Sequence, residues 1–361
     1  MNILLVTMEM NMGGAETHVL ELAKALKNRK HNVFVISAGG KLVDELEKSG
    51  VKHIYAPLKD KKINHIITSM KTIKKAIKIN NIDVVHAHAR IPGAICGVVC
   101  KKTKTHFVTT VHGIYRLNFL LKKLTNWGEK TLAVSQDVKN QVIKDYGLKE
   151  ENVFVTVNGI DLSTYKKSKP PVISGIKLDE NKDKIVHVSR IDNDTKEVVT
   201  ALVEISDKLD KETKNGVQLI IIGGGNYFEE LKEKTEKMQN VVLIKGPRTD
   251  INQLLNLGDL FVGASRCALE AMATELPVIL AGNSANGQGY LGIFSKANLQ
   301  TAINTNFTCR GMPKVEKEQL EKDIKKLLEI KTPEMGEYNR SVIEKMYSVD
   351  KMVEDALKIY Q

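Results

Sequence analysis

The chain has 361 residues, of which 42% are hydrophobic and 27% charged. This is the composition of a globular protein, and the length fits two domains of roughly 150–180 residues better than one core. No apolar stretch reaches the roughly 18 residues that a membrane-spanning helix needs, and residues 1–8 lack the basic segment of a signal peptide. We therefore expect a cytoplasmic protein.

Positive charge is unevenly distributed along the chain. The net charge is +11, and residues 1–165 contain 25 Lys and Arg against 14 Asp and Glu, whereas the remainder contains 29 of each kind. This asymmetry predicts an anionic partner for the first half, although lysine-rich faces that only maintain solubility are the alternative. Aromatic residues make up only 5%, and no nucleic-acid-binding motif is recognisable, so nucleic acid is not the expected partner.

In the first half, short β-branched runs alternate with helical patterns. Strands are predicted at Ile3–Thr7, Val33–Ser37, Val84–His86, Phe107–Val111, Thr131–Val134 and Val153–Val157. Helices are predicted at Ala15–Leu26, Ile63–Ile79, Pro92–Lys102 and Val138–Tyr146. Such alternation predicts a parallel sheet covered by helices on both faces.

The same alternation starts again after a lysine- and proline-rich linker at Tyr165–Val172. Strands are predicted at Ile185–Ser189, Leu219–Ile222, Val241–Ile244, Leu260–Val262 and Val278–Leu280. Helices are predicted at Val198–Leu209, Phe228–Lys237 and Ile251–Leu257, followed by a helical tail at Lys314–Ile330 and Met335–Gln361. The predicted architecture is therefore two α/β domains with parallel sheets.

The four cysteines are expected to be buried, reduced thiols. Cys96 and Cys100 are four residues apart, and no His or second Cys pair accompanies them in a metal-binding pattern. We therefore predict no disulfide framework and no metal site.

Two glycines, Gly13 and Gly14, follow the first strand and open the first helix. Glycine allows close approach of a ligand, and a helix N-terminus offers free N–H groups to a phosphate, although a plain turn is the alternative. Arg190 and Lys196 follow the first strand of the second half. Two cations across a turn are suited to holding a diphosphate, with solvated loop charges as the alternative.

The third segment, residues 263–278, runs Gly-Ala-Ser-Arg-Cys-Ala-Leu-Glu-Ala-Met-Ala-Thr-Glu-Leu-Pro-Val. A helix is predicted to begin near Cys267, which would place Glu270 in its first turn. A carboxylate there is suited to hydrogen-bonding paired ribose hydroxyls, and helix capping is the alternative.

Jointly, these segments resemble the GT4-type retaining glycosyltransferases of the GT-B fold (glycosyl transferases group 1). Further likeness lies in Val85-His86-Ala87-His88, Thr110-Val111-His112-Gly113, Val157-Asn158-Gly159-Ile160-Asp161 and Leu276-Pro277-Val278-Ile279. The resemblance implies two facing Rossmann-like domains and a C-terminal helical tail. We assign residues 1–165 to acceptor binding and 166–340 to donor binding, with a helix at 341–361 that packs back toward the N-terminal domain.

The resemblance also implies roles for individual residues. Catalytic roles fall to His112, Arg190 and Lys196, and donor-binding roles fall to Gly13, Gly14, Arg190, Lys196, Ser265, Arg266 and Glu270. The expected donor is a nucleotide sugar, with UDP ahead of GDP, transferred with retention of configuration and without a metal or other cofactor. The family usually has an acidic residue and a Gly-Phe-Gly loop before its ribose-binding Glu. Here that loop is missing, so Arg266 or the glycine-rich run 282–290 is expected to compensate; a flexible surface loop is the alternative for that run.

The basic excess of the first half suggests where an acceptor is reached. Residues 52–104 contain twelve basic and two acidic residues. The segment Arg116–Trp127 is basic and apolar, and Arg116, Lys122, Lys123 and Trp127 are its candidate membrane or acceptor contacts. The resulting hypothesis is docking on the inner face of a membrane, with a cell-envelope glycan, lipid-linked or polyanionic acceptor; a helix packed on its own domain is the alternative.

Two other functions remain open from the sequence. A nucleotide-sugar epimerase of the same fold would change its donor without an acceptor. A non-catalytic nucleotide-sugar binding protein would bind without turnover. The oligomeric state is not readable from the sequence.

Overall fold

The computed structural model describes residues 1–115, 122 and 124–361. These residues form two compact units. The first comprises Met1–Gly159 together with Tyr347–Gln361, and the second comprises Ile160–Met346.

The first unit is built on a seven-stranded parallel sheet in the order β3-β2-β1-β4-β5-β6-β7. Its strands are β1 (Asn2–Val6), β2 (Asn32–Ser37), β3 (Lys52–Tyr55), β4 (Val84–Ala87), β5 (His106–Val111), β6 (Lys130–Ala133) and β7 (Val153–Val155). Its helices are α1 (Gly14–Asn28), α2 (Val43–Lys48), α3 (Ile63–Ile79), α4 (Arg90–Thr103), α5 (Gln136–Tyr146) and, from the end of the chain, α13 (Val349–Ile359).

Side chains that alternate along β1 give the first unit a core on each face of its sheet. Ile3 and Leu5 pack in the cluster that includes α1 and α13. Leu4 and Val6 pack in the cluster that includes α3 and α4. This is the two-sided burial that makes parallel strands almost continuously apolar.

The second unit contains a six-stranded sheet in the order β10-β9-β8-β11-β12-β13. Its strands are β8 (Asp183–Arg190), β9 (Val217–Gly224), β10 (Val241–Lys245), β11 (Leu260–Gly263), β12 (Val278–Ala281) and β13 (Tyr290–Ile293). Its helices are α6 (Glu197–Glu212), α7 (Phe228–Thr235), α8 (Ile251–Leu254), α9 (Ser265–Ala273), α10 (Leu299–Asn304), α11 (Lys317–Ile330) and α12 (Pro333–Met346).

The predicted fold class, two Rossmann-like α/β domains followed by C-terminal helices, is confirmed. Short elements without a clear apolar period, β3, β13, α2 and α10, were not predicted. β13 pairs antiparallel with β12, so the second sheet is mixed at one edge. The predicted helical tail is interrupted between α12 and α13, where the Ser348 hydroxyl accepts a hydrogen bond from the Lys351 N–H and caps α13.

Two further predictions can be compared with the described residues. Among them, no helix combines the length and the hydrophobicity needed to span a membrane. The described cysteines are free: Cys96, Cys100 and Cys309 are buried and Cys267 is partly buried. Burial raises the pKa of the Cys100 thiol to about 12, as expected for an inert core thiol.

Candidate active site

In the second unit, the strand order reverses between β8 and β11. The carboxyl ends of parallel strands at such a switch point are the usual ligand site of open α/β sheets. Arg190 is the last residue of β8, Lys196 is the N-cap of α6, and α9 follows β11. The donor-binding segments predicted in the second half of the chain, around Arg190–Lys196 and Ser265–Glu270, therefore lie at the same edge of this sheet.

Hydrogen bonds fix the loop that joins β8 to α6. The Thr195 hydroxyl, which is buried, donates to the Arg190 carbonyl at 2.6 Å and accepts from the Asp192 N–H at 3.0 Å. Arg190 is 59% exposed and forms ion pairs with Asp192 at 3.1 Å and Asp194 at 3.0 Å. The loop thus presents a guanidinium whose orientation is set before any ligand binds.

Lys196 lies at the other end of the same loop. Its ammonium donates to the Asn193 side-chain oxygen at 3.3 Å and lies 4.5 Å from the centre of the Tyr227 ring. A cation over an aromatic face is attracted by the quadrupole of the ring. The two predicted phosphate-binding cations are therefore held by separate contacts on one short loop.

A glycine-rich turn that sequence reasoning missed, Gly223–Gly225, packs against this loop. A Cβ on Gly225 would overlap the Ile191 carbonyl and the Asp192 carboxylate, and a Cβ on Gly223 would overlap the Ser189 carbonyl. The Asn226 N–H donates to Asp192 at 2.6 Å. Three consecutive glycines after a strand were the available signal, because such runs mark close backbone approach.

Glu270 occupies a different place from the one predicted. Helix α9 begins at Ser265, so Glu270 lies in its second turn and does not cap it. Its carboxylate is buried and accepts a 2.8 Å hydrogen bond from the Arg266 guanidinium, one turn earlier. The pKa of the Tyr165 hydroxyl is raised by burial and by the neighbouring Glu270 carboxylate, to which it is hydrogen-bonded. Glu270 is therefore part of a buried polar network.

The connection before α9 is as short as the sequence indicated. Ala264 alone separates β11 from α9, and the Ser265 N–H donates to the Phe307 carbonyl at 2.7 Å. Asn306, Phe307 and Cys309 all adopt positive φ angles, as does Ser265. Left-handed backbone at non-glycine residues costs of order 1–3 kcal/mol each and requires support from surrounding structure.

The glycine-rich run 282–290 is anchored beside the cations. The Asn283 side-chain oxygen accepts from the Val198 N–H of α6 at 3.2 Å, and the Ser284 N–H donates to the Glu197 carboxylate. These contacts join the run to the first turn of the helix that Lys196 caps. They make the run an ordered loop, in place of the flexible surface loop that was the alternative.

In the first unit, the strand order reverses between β1 and β4. Gly13 is the N-cap of α1, and Gly14 is its first residue. A Cβ on Gly13 would overlap the Glu16 carboxylate, and burial raises the pKa of Glu16. The Glu16 carboxylate therefore already lies at the N-terminus of α1, where we expected a phosphate to bind.

Four histidines gather at this switch point, from α1, β4 and the segments that follow β4 and β5. Nδ1 of His88 lies 3.2 Å from Nε2 of His112, and the rings of His18 and His112 are 4.7 Å apart. Nδ1 of His18 lies 3.2 Å from the Asn158 side-chain oxygen. His86 bonds to the Tyr360 hydroxyl and the Thr110 hydroxyl, each at 2.7 Å.

Burial keeps the imidazoles of His86, His88 and His112 neutral. Burial lowers the pKa of His86 to about 3 and lowers the pKa values of His88 and His112 well below their ordinary range. Neighbouring histidines act in the same direction as burial. These three residues therefore offer neutral donors and acceptors, not positive charge.

Of the four predicted membrane or acceptor contacts, two lie within the described residues. Arg116 and Lys123 lie outside the described residues, and Lys122 is exposed. Trp127 packs edge-on against Tyr146 with ring centres 5.1 Å apart, and it also contacts the apolar cluster around Val111. Trp127 thus packs on its own domain.

Two family models match the chain in succession. Residues 12–164 match Glycosyltransferase Family 4, and residues 182–298 match Glycosyl transferases group 1. Together they cover about three quarters of the chain. The chain belongs to the family 4 (group 1) glycosyltransferases.

Individual relatives agree with this assignment. The glycosyltransferase is 22% identical over 312 residues to alpha-monoglucosyldiacylglycerol synthase of Streptococcus pneumoniae, covering 75% of this chain and 68% of that protein. The crystal structure of a glycosyltransferase from Rickettsia africae superposes with a TM-score of 0.78 at 23% identity, over 99% of this chain and 97% of that one. Anabaena Alr3699/HepE in complex with UDP-glucose superposes with a TM-score of 0.73 at 18% identity, over 99% and 98%. The fold is therefore GT-B, as predicted.

Proposed function

We propose that this glycosyltransferase transfers a sugar from a UDP-sugar to a glycan or lipid-linked acceptor of the cell envelope, with retention of anomeric configuration. The observation that carries the donor half of the proposal is the Arg190–Lys196 loop at the switch point of the second sheet. The structural relative that binds UDP-glucose supports UDP as the nucleotide.

The reaction requires stabilisation of the leaving diphosphate. Negative charge grows on the diphosphate as the glycosidic bond opens, and oriented cations stabilise that charge most where they need not reorganise. Arg190 has five N–H donors, and its pairs with Asp192 and Asp194 leave further donors for phosphate oxygens. Lys196 supplies a second positive charge, so we propose that transfer proceeds without a divalent metal.

The remaining donor contacts are assigned to groups beside these cations. The Glu270 carboxylate already accepts from Arg266 and is hydrogen-bonded to Tyr165, and we propose that it also accepts from the ribose hydroxyls. Backbone amides of the anchored run 282–290 are proposed to take the place of the family loop before α9. In the first unit, we propose His112 as the imidazole that contacts the transferred sugar, with Gly13 and Gly14 allowing close approach nearby.

The test of the proposal is donor binding followed by turnover. UDP at 100 times its Kd is expected to stabilise the protein by about 2.7 kcal/mol, seen as a raised Tm, and GDP is expected to do less. UDP release from UDP-glucose should then require an acceptor, with diacylglycerol vesicles as the first probe, and should persist in EDTA. Proton NMR of the product reads its anomeric configuration.

Other outcomes identify the competing functions. If the protein forms an epimerised UDP-sugar in the absence of an acceptor, it is an epimerase and the proposal is wrong. If the protein binds UDP but transfers no sugar to lipid or glycan acceptors, it is a non-catalytic nucleotide-sugar binding protein.

Helix α3 supplies a specific reason to propose an anionic membrane as the docking surface. Its sequence contains no Asp or Glu, and Lys71, Lys74, Lys75 and Lys78 are all exposed. Large apolar side chains lie exposed at both ends, with Ile63 76% and Ile79 65% accessible. A basic helix face with exposed apolar residues suits the interface of anionic lipid.

Vesicle flotation tests this docking. Each lysine near an anionic surface contributes about 1 kcal/mol, so Lys74→Ala/Lys78→Ala is expected to weaken binding to phosphatidylglycerol vesicles about 30-fold at low salt. Lys322→Ala/Lys326→Ala removes an equally spaced, exposed pair from α11 and serves as the matched control. Equal binding of both variants and the parent protein would contradict docking through α3.

A further inference from the structure

The histidine cluster of the first unit has a geometry that sugar transfer does not require. One ring nitrogen from each of His18, His88 and His112 lies within 4.8 Å of the other two. These residues come from three separate elements: α1, the end of β4 and the end of β5. The fold therefore brings together three imidazoles that are distant in sequence.

The distances fit a small transition-metal ion. Two nitrogens bound to a tetrahedral zinc ion at about 2.0–2.1 Å lie about 3.3 Å from one another. The 3.2 Å between Nδ1 of His88 and Nε2 of His112 matches that separation. The three nitrogens lie at most 4.8 Å apart, so binding one zinc ion requires the longest nitrogen–nitrogen distance to shorten by about 1.5 Å. Rotation of the imidazole rings can supply a movement of this size.

One further observation concerns an individual ring. Nδ1 of His18 bonds to the Asn158 side-chain oxygen, the type of contact that fixes the tautomer and the orientation of a metal-binding histidine.

We propose that His18, His88 and His112 form a binding site for one zinc-class divalent ion in the first unit. Three histidines leave a fourth position open to water or a substrate oxygen. His86 stands outside the set, because both of its nitrogens are engaged by Thr110 and Tyr360. Metal bound here would engage His112 and is expected to act on transfer as an inhibitor, so EDTA should not reduce activity.

Metal binding by the whole protein, with zinc alone as the probe, tests the site independently of transfer. The parent protein, stripped with EDTA and dialysed against zinc chloride, is expected to retain one zinc ion per chain. Cobalt in place of zinc should give visible bands of a nitrogen and oxygen site without a thiolate charge-transfer band. Absence of retained zinc, or a thiolate band from the cysteines, would overturn the proposal without any variant.

Variants locate the ion. His88→Gln and His112→Asn are expected to lose at least 100-fold in zinc affinity, whereas His65→Asn, at a partly exposed histidine paired with Asp60 outside the cluster, should bind like the parent protein. Asn158→Ala leaves all three ligands in place and should weaken binding 10- to 100-fold. Circular dichroism without metal shows which variants fold; unchanged zinc binding by a folded His88 or His112 variant would refute the assignment.

Discussion

Replacing Arg190 with alanine should separate donor binding from stability. A hydrogen bond to a charged group contributes about 1.5–3 kcal/mol, and in the proposed function Arg190 makes at least one with the diphosphate. Loss of that interaction raises the Kd for UDP about 10- to 150-fold. Lys196→Ala is expected to weaken UDP binding to a similar extent.

The same changes should hardly affect folding. Arg190 is 59% exposed and its partner Asp194 is 53% exposed, and ion pairs between exposed side chains contribute about 0–1 kcal/mol. Lys196→Ala additionally loses the contact of the partly buried Lys196 with the buried Tyr227 ring, about 0.5–2 kcal/mol. Both variants should therefore unfold within about 1–2 kcal/mol of the parent protein.

Calorimetric titration with UDP and with uridine distinguishes phosphate recognition from a general loss of binding. The variants should lose affinity for UDP while their affinity for uridine stays near that of the parent protein. Lys317→Ala is the matched control, because it removes an equally exposed cation, paired with Glu204 at 2.8 Å, from α11 of the same unit. If Arg190→Ala and Lys196→Ala both bind UDP within threefold of this control, the diphosphate site lies elsewhere.

Three further predictions follow from contacts in both units. Gly225→Ala should abolish UDP binding, because its Cβ would overlap the loop after β8 and displace it; titration with UDP checks this, and unchanged affinity contradicts it. Arg266→Ala should cost about 3–5 kcal/mol in urea denaturation by leaving Glu270 buried without this partner, and Arg266→Met with Glu270→Leu should recover most of the loss. Between pH 7 and 5, unfolding free energy should fall by roughly 2 kcal/mol for each of His86 and His187, because burial lowers their pKa to about 3 and about 4, so the unfolded chain takes up protons first. Denaturation curves across this pH range test the sign, and stability that rises toward pH 5 would contradict it.

The long elements of the fold were predictable because their apolar periods are strong. Helix α3 begins and ends where its pattern predicted, and strands and helices alternate along the chain as predicted. Strand β3 escaped prediction because it lies at the sheet edge, where its residues are exposed or only partly buried. Strand β13 also lies at an edge and contains Gly292 at a positive φ, which weakens any strand pattern.

In the candidate site, only contacts between residues of the same short segment could be predicted from the sequence. Arg190 and Lys196 are six residues apart, so their meeting at one loop could be inferred. The pairing of Glu270 with Arg266 could also have been read from their spacing of four on a helix. The approach of His18 to His88 and His112 could not, because it depends on how α1 packs beside the ends of β4 and β5.

The excess positive charge of the chain and its proposed phosphate site lie in different halves of the sequence. The excess cations of the first half lie largely on exposed faces such as that of α3, which packs on the opposite face of the sheet from α1. Burial lowers the pKa values of His88 and His112 at the switch point of that sheet, so these two residues are neutral. The second half has no net charge, yet Arg190 and Lys196 lie at its switch point, each held by polar neighbours. We therefore propose that the exposed cations of α3 attract the protein to an anionic membrane, whereas the hydrogen-bonded Arg190 and Lys196 hold the diphosphate. Substitutions on α3 should then change membrane affinity without changing the Kd for UDP.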